Sequence, residues 1–96
     1  AQLVFLGDSI TAGWNGNGKE VWPKAFGQYQ PANFGIGGDR TQHVLWRIEN
    51  GELDGIKPKA AVIMIGTNNS KDDDAPGIAR GVTKIVEFIR KACGVK

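Results

Sequence analysis

Three short polar stretches hold the residue types that could do chemistry: Gly7-Asp8-Ser9, Gly37-Gly38-Asp39 and Gly66-Thr67-Asn68-Asn69. A serine on a tight turn can present its hydroxyl as a nucleophile, although Asp and Ser are also the residues that most often cap a helix N-terminus. Two successive glycines let backbone N–H groups approach a developing negative charge, and a plain turn uses glycine too. The Asn68 carboxamide could donate a hydrogen bond to an oxyanion, while asparagine is common in any loop. Singly, each stretch has an ordinary structural explanation.

Their placement changes the weight. Leu3-Val4-Phe5-Leu6 is a short apolar run ending abruptly at the first polar turn, which predicts a buried strand. Ile10 to Lys19 is rich in Gly and Asn and reads as loop with at most a short helical turn. A helix is expected from about Val21, with Pro23 in its first turn and Trp22 and Phe26 on its inner face. Pro31-Ala32-Asn33-Phe34 predicts a second strand running into the paired glycines. A second helix from about Thr41 carries the stripe Val44, Leu45 and Ile48 and ends at Asn50-Gly51. Ala60 to Ile65 is apolar without alternation, as a parallel strand covered by helices on both faces would be. The acidic run Lys71-Asp72-Asp73-Asp74 reads as a solvated loop and the N-terminus of a third helix, from about Ala75 to Ala92, with Ile78, Val82, Ile85, Val86 and Ile89 on one face. The order β-α-β-α-β-α predicts a doubly wound, flavodoxin-like parallel α/β sheet. In such sheets ligands bind beyond the carboxyl ends of the strands, where all three polar turns fall.

Composition narrows the partners. The chain has 96 residues, 41% hydrophobic and 23% charged, enough for one domain with a thin core. A net charge of +2, from scattered Lys and Arg, does not argue for nucleic acid or an anionic membrane. A single cysteine, Cys93, excludes an intrachain disulfide, and no Cys/His spacing suits zinc. No apolar run reaches membrane-span length. The reading is a soluble protein whose compartment is open, a secreted or periplasmic full-length form being one option.

Taken together, Asp8-Ser9, Gly37-Gly38 and Thr67-Asn68-Asn69, each directly after a strand, resemble the first three sequence blocks of the GDSL/SGNH hydrolases. The stretches Asn33 to Asp39, Thr41 to Arg47 and Glu49 to Leu53 are similar to the platelet-activating-factor acetylhydrolase branch of that family. The resemblance covers nearly the whole chain. It implies a serine esterase in which Ser9 attacks an ester carbonyl to form an acyl-enzyme. The Ser9 N–H, the Gly38 N–H and the Asn68 side-chain amide would form the oxyanion hole, supported by Asp8, Gly37, Thr67 and Asn69. Asp8 would shape the turn rather than serve as triad acid. The implied substrate is a small ester, an acetylated carbohydrate or a short acyl ester, and neither metal nor organic cofactor is needed.

The departure from the family is the absence of its Asp-x-x-His block, which supplies acid and base. The only histidine, His43, falls inside the second helix and reads as a surface or helix-packing residue, with substitution as base the minor alternative. The chain is therefore expected to be the N-terminal portion of a single hydrolase domain, residues 1–96, and nearly inactive alone. Strand 61–65 would then be an unpaired apolar edge open to association. The competing class is a non-catalytic carbohydrate- or lipid-binding module that retains the pocket. Trp14 and Trp22 could line an acyl or sugar pocket, burial in the core being preferred for Trp22. Two nucleotide-binding patterns fail. Gly13 to Lys19 fits a phosphate loop until Glu20 stands where Ser or Thr is needed, and Arg40 replaces the third glycine of a dinucleotide fingerprint starting at Gly35.

Overall fold

The computed structural model of the protein describes residues 2–94. Three strands, β1 (Leu3–Gly7), β2 (Pro31–Gly35) and β3 (Ala60–Met64), form a parallel sheet in the order β2-β1-β3. Helix α1 (Ser9–Ala12) is a single turn that starts immediately after β1, the short helical turn the sequence allows within its Gly- and Asn-rich loop; α2 (Val21–Phe26), α3 (Thr41–Glu49) and α4 (Ala75–Cys93) fall where helices are expected. The architecture is the doubly wound, flavodoxin-like α/β arrangement.

The side-chain alternation of β1 divides the molecule. Val4 and Leu6 face one side, and Leu6 joins Val44 and Ile48 of α3, Leu53, and Ile85 and Ile89 of α4 in a single buried cluster. Phe5 faces the other side and packs on α2, with ring centroids 4.7 Å from Trp22 and 5.1 Å from Phe26. Helix α4 turns its apolar stripe inward to bury Ile85 and Ile89 in that cluster, and its ends are well terminated. The Asp74 carboxylate accepts the Gly77 N–H at its start, and Gly94 adopts the left-handed conformation (φ 71°) just past its end.

The expectation that β3 is covered on both faces holds for one of them. Ala61 and Ile63 pack against the α3–α4 core, whereas Val62 and Met64 are 43% and 52% exposed. The cause is geometric: α2 reaches across Phe5 of the central strand and leaves the same face of β3 open. Among the described residues, β3 pairs only with β1, so its other edge is free.

This asymmetry is measurable. Leu6→Ala, in the closed cluster, should lower the unfolding free energy by about 2–5 kcal/mol. Met64→Ala, on the open face, should cost less than about 0.5 kcal/mol. Urea titrations followed by tryptophan fluorescence separate the two; equal losses would mean that the face carrying Met64 is covered.

Candidate active site

Parallel pairing sets Gly7 of β1 opposite Gly35 of β2 and Met64 of β3, so the three chain segments leave the sheet side by side. The three polar turns are thereby neighbours. An added Cβ at Gly37 would stand 3.8 Å from the Ser9 Cβ, which puts the glycine pair against the serine.

The first turn divides its labour. Asp8 is 2% exposed and caps α1, its Oδ1 accepting the Ile10 N–H at 2.9 Å. Ser9, the first helical residue, is exposed. Helix cap and presented hydroxyl are thus adjacent residues rather than alternatives. As a first-turn residue, Ser9 has a backbone N–H with no intrahelical acceptor. Helix α1 lies close on β2: Asn33 Nδ2 donates to the Thr11 carbonyl at 2.8 Å, and a side chain at Gly35 would meet the Ala12 nitrogen and the Asp8 carbonyl.

The second turn carries Gly38 at φ +81°, a conformation other residues adopt only with strain. Two bonds shape this loop: the Ile36 N–H donates to the Gly7 carbonyl at 3.1 Å and the Asp39 N–H to the Ile36 carbonyl at 3.2 Å. The Gly38 N–H between them has no acceptor among the described residues.

The third turn binds the other two. Asn68 Nδ2 donates to the Asp39 carbonyl at 2.9 Å and lies 3.4 Å from Asp8 Oδ2, so one carboxamide touches both earlier turns. Thr67 beside it is exposed. Asn69 is only 1% exposed. Its Oδ1 accepts the Thr41 N–H at 2.9 Å, and its Nδ2 faces Thr41 Oγ1, Gln42 Oε1 and Asp73 Oδ2 at 2.8–3.1 Å. It therefore satisfies an N-terminal donor of α3 that would otherwise be orphaned. An ion pair at 2.6 Å between Arg40 and Asp72 reinforces the same junction.

Beneath the second turn lies an ionic group that reading the motifs alone passes over. Arg47 donates to the Phe34 carbonyl at 2.9 Å and to Asp39 Oδ2 at 2.6 Å, and it also pairs with Glu52. All three charged side chains are largely buried. Arg47, Asp39 and Glu52 sit within the stretches that carry the family resemblance, and that was the available signal. Burial pushes the Glu52 carboxyl above its ordinary value of 4.5, against the pull of the Arg47 charge and hydrogen bond, with Asp39 adding repulsion.

His43 is exposed on the first turn of α3, where its Nδ1 accepts the Arg40 N–H at 2.9 Å. Its observed role is that of a helix cap. Trp14 and Trp22 are both half-buried in one aromatic group with Phe5 and Phe26. Trp14 additionally borders an open hollow of about 460 Å³, lined with Ser9, Ile10, Gly13, Asn17 and Gly18. Burial pushes the Cys93 thiol up, which keeps it protonated and poorly nucleophilic at neutral pH. Among the described residues no His, Cys, Asp and Glu group could hold a metal ion, and no helix is long and apolar enough to cross a membrane.

A three-stranded doubly wound sheet with serine, glycine-pair and asparagine turns converging at its carboxyl end is a flavodoxin-like α/β scaffold with a polar site at its strand ends. The sequence profile of the GDSL-like Lipase/Acylhydrolase family matches residues 5–96, and the chain belongs to that family. It is 44% identical over 90 residues to the platelet-activating factor acetylhydrolase IB subunit alpha1 of Rattus norvegicus, covering 94% of this chain and 38% of that protein. It is 45% identical over 87 residues to the alpha2 subunit of Homo sapiens, covering 91% of this chain and 37% of that protein. The chain thus spans less than two-fifths of the length of these relatives. A GDSL-like lipase from Bacteroides thetaiotaomicron superposes with a TM-score of 0.76 at 24% identity, over 98% of this chain and 45% of the other, and shares the fold.

Two outcomes follow for this polar framework. Asn69→Ala strands the Thr41 N–H in a buried site and should cost about 1–3 kcal/mol in a urea titration; an unchanged midpoint would mean that solvent replaces the carboxamide. Glu52 has a raised folded-state pKa, so its contribution is present at low pH and is lost as pH rises through that value. From pH 4.5 upward, stability of the wild type should therefore fall progressively relative to Glu52→Gln. Parallel stability–pH curves for the two proteins would contradict the burial of this carboxyl.

Proposed function

We propose that this chain supplies the nucleophile and the oxyanion hole of a serine ester hydrolase. One observation carries the reading: exposed Ser9, against the glycine pair, shares a site with Asn68, whose amide bridges the Asp8 and Asp39 turns. Ser9 Oγ would attack the ester carbonyl, the alcohol would leave, and water would then hydrolyse the acyl-enzyme. The tetrahedral intermediate would place its oxyanion among the N–H groups of Ser9 and Gly38 and the Asn68 amide. One hydrogen of that amide is held by the Asp39 carbonyl, and the other, only weakly engaged by its long contact to Asp8, is the one available to substrate.

A serine hydroxyl needs a base to act at neutral pH. His43, the one histidine of the chain, is occupied by the Arg40 N–H. We therefore assign the general base and its acid partner to residues beyond these 96, in the same protein or another chain. The relatives that match are more than twice as long, which supports this assignment. The substrate class is a short acyl or acetyl ester, either of a carbohydrate or, as the names of the relatives suggest, of a phospholipid. The hollow beside Ser9, apolar at Ile10 and Trp14, suits one substituent of such an ester.

Hydrolysis of p-nitrophenyl acetate tests this in three samples: the 96-residue protein, its Ser9→Ala variant, and a longer protein that includes downstream sequence. Turnover is expected in the longer protein alone, and Ser9→Ala there should reduce it by about 10⁴-fold or more. Turnover that survives Ser9→Ala would remove Ser9 as nucleophile. Ligand binding without turnover in any sample would favour a binding module.

A further inference from the structure

The charged group under the second turn has a geometry that packing does not require. The loop from Gly35 to Gly38 is anchored by one side chain at both ends. The Arg47 guanidinium reaches back to the carbonyl of Phe34, the residue before the loop, and forward to the carboxylate of Asp39, the residue after it. Asp39 in turn offers its own carbonyl to Asn68. A planar, forked cation is the one side chain able to hold two acceptors in such fixed relation. The cost of burying it is offset by two carboxylates, Asp39 and Glu52.

We infer that Arg47 is a positioning residue for ester hydrolysis: by clamping both ends of this loop through Phe34 and Asp39, it fixes the Gly38 N–H and the Asn68 amide in oxyanion geometry. This rests on the esterase reading above. Arg47 touches no reacting atom and acts only through the loop. Left-handed Gly38 has no side chain and, among the described residues, no acceptor to hold it, so its N–H direction depends on the anchors on either side. Glu52 keeps the guanidinium in place by pairing with the same terminal nitrogen, Nη1, that donates to the Phe34 carbonyl, while Nη2 holds Asp39. A lysine at position 47 could satisfy one of the two acceptors but not both in fixed geometry.

The test uses Arg47→Lys and Asp39→Asn, with Glu49→Gln on the exposed end of α3 as control. In the 96-residue protein, amide hydrogen exchange is read at positions 36 and 39, the two bonded N–H groups of the loop, and at 85 and 89 in α4. In the longer esterase, kcat and KM are read with p-nitrophenyl acetate. Exchange at 36 and 39 should rise about tenfold or more while 85 and 89 hold, because loss of local anchoring opens only the loop. The kcat should fall about 10- to 100-fold with KM within about threefold, less than deletion of an oxyanion donor outright. A uniform rise at all four amides, or no rise at 36 and 39, overturns the clamp. So does loss of activity carried by KM alone. Turnover that survives Ser9→Ala, or is absent from the wild type, overturns the esterase reading and the catalytic inference with it. The loop amides still separate that failure from a failure of the clamp.

Discussion

Parallel register is the constraint on which the remaining geometry depends. Because Gly7 pairs with both Gly35 and Met64, β1 ends level with both neighbours and the three following turns open at one height. A slip of one residue in either pairing would send the apolar side chains of that strand to the opposite face and carry its turn away from the others. Two features hold the register. Leu6 locks into the α3–α4 cluster on one face while Phe5 locks into the aromatic group on the other. Gly35 allows α1 to settle on β2 where any larger residue would meet backbone.

On that base a small polar framework converts proximity into defined geometry. Asn68 and Asn69 are consecutive, yet they do different work. Asn68 bridges the first and second turns at the surface of the site, and Asn69 is buried as the connection to the start of α3. Arg47, Asp39 and Glu52 supply the same kind of connection from below. In a low-dielectric setting these bonds are strong when complete and damaging when broken, so the network favours one arrangement over its near alternatives.

Much of the scaffold was legible from residue order. The apolar runs at Leu3 and Ala60, the stripe from Ile78 to Ile89 and the polar turns between them fall where elements begin and end. The short turn of α1 could be allowed for but not placed, because a single turn leaves no periodic signal in a stretch rich in Gly and Asn. The open face of β3 was hidden, since Val62 and Met64 are apolar irrespective of what covers them. At the site, the three motif turns can be recognised in the sequence, but their contacts cannot. The resemblance marks Asn69 as a supporting residue without saying what it bonds, and nothing in the order of residues says that Arg47 reaches Phe34, Asp39 and Glu52. Both owe their roles to tertiary neighbours.

The topology also bears on the order in which this region assembles during synthesis. Strand β1 precedes its partner β3 by more than fifty residues, from Leu3 to Ala60, and it pairs with β2 on the other side. Closing such a long loop is slow compared with forming the local turns of α3 or α4. As the polypeptide leaves the ribosome, the strand that leads into Ser9 can join β2 before β3 is made, yet one of its flanks stays vacant until Ala60–Met64 has emerged. Only then can Asn68 arrive. The strand that leads into Ser9 is thus made well before the segment that completes its pairing, and until that segment emerges its apolar residues keep one flank unpaired.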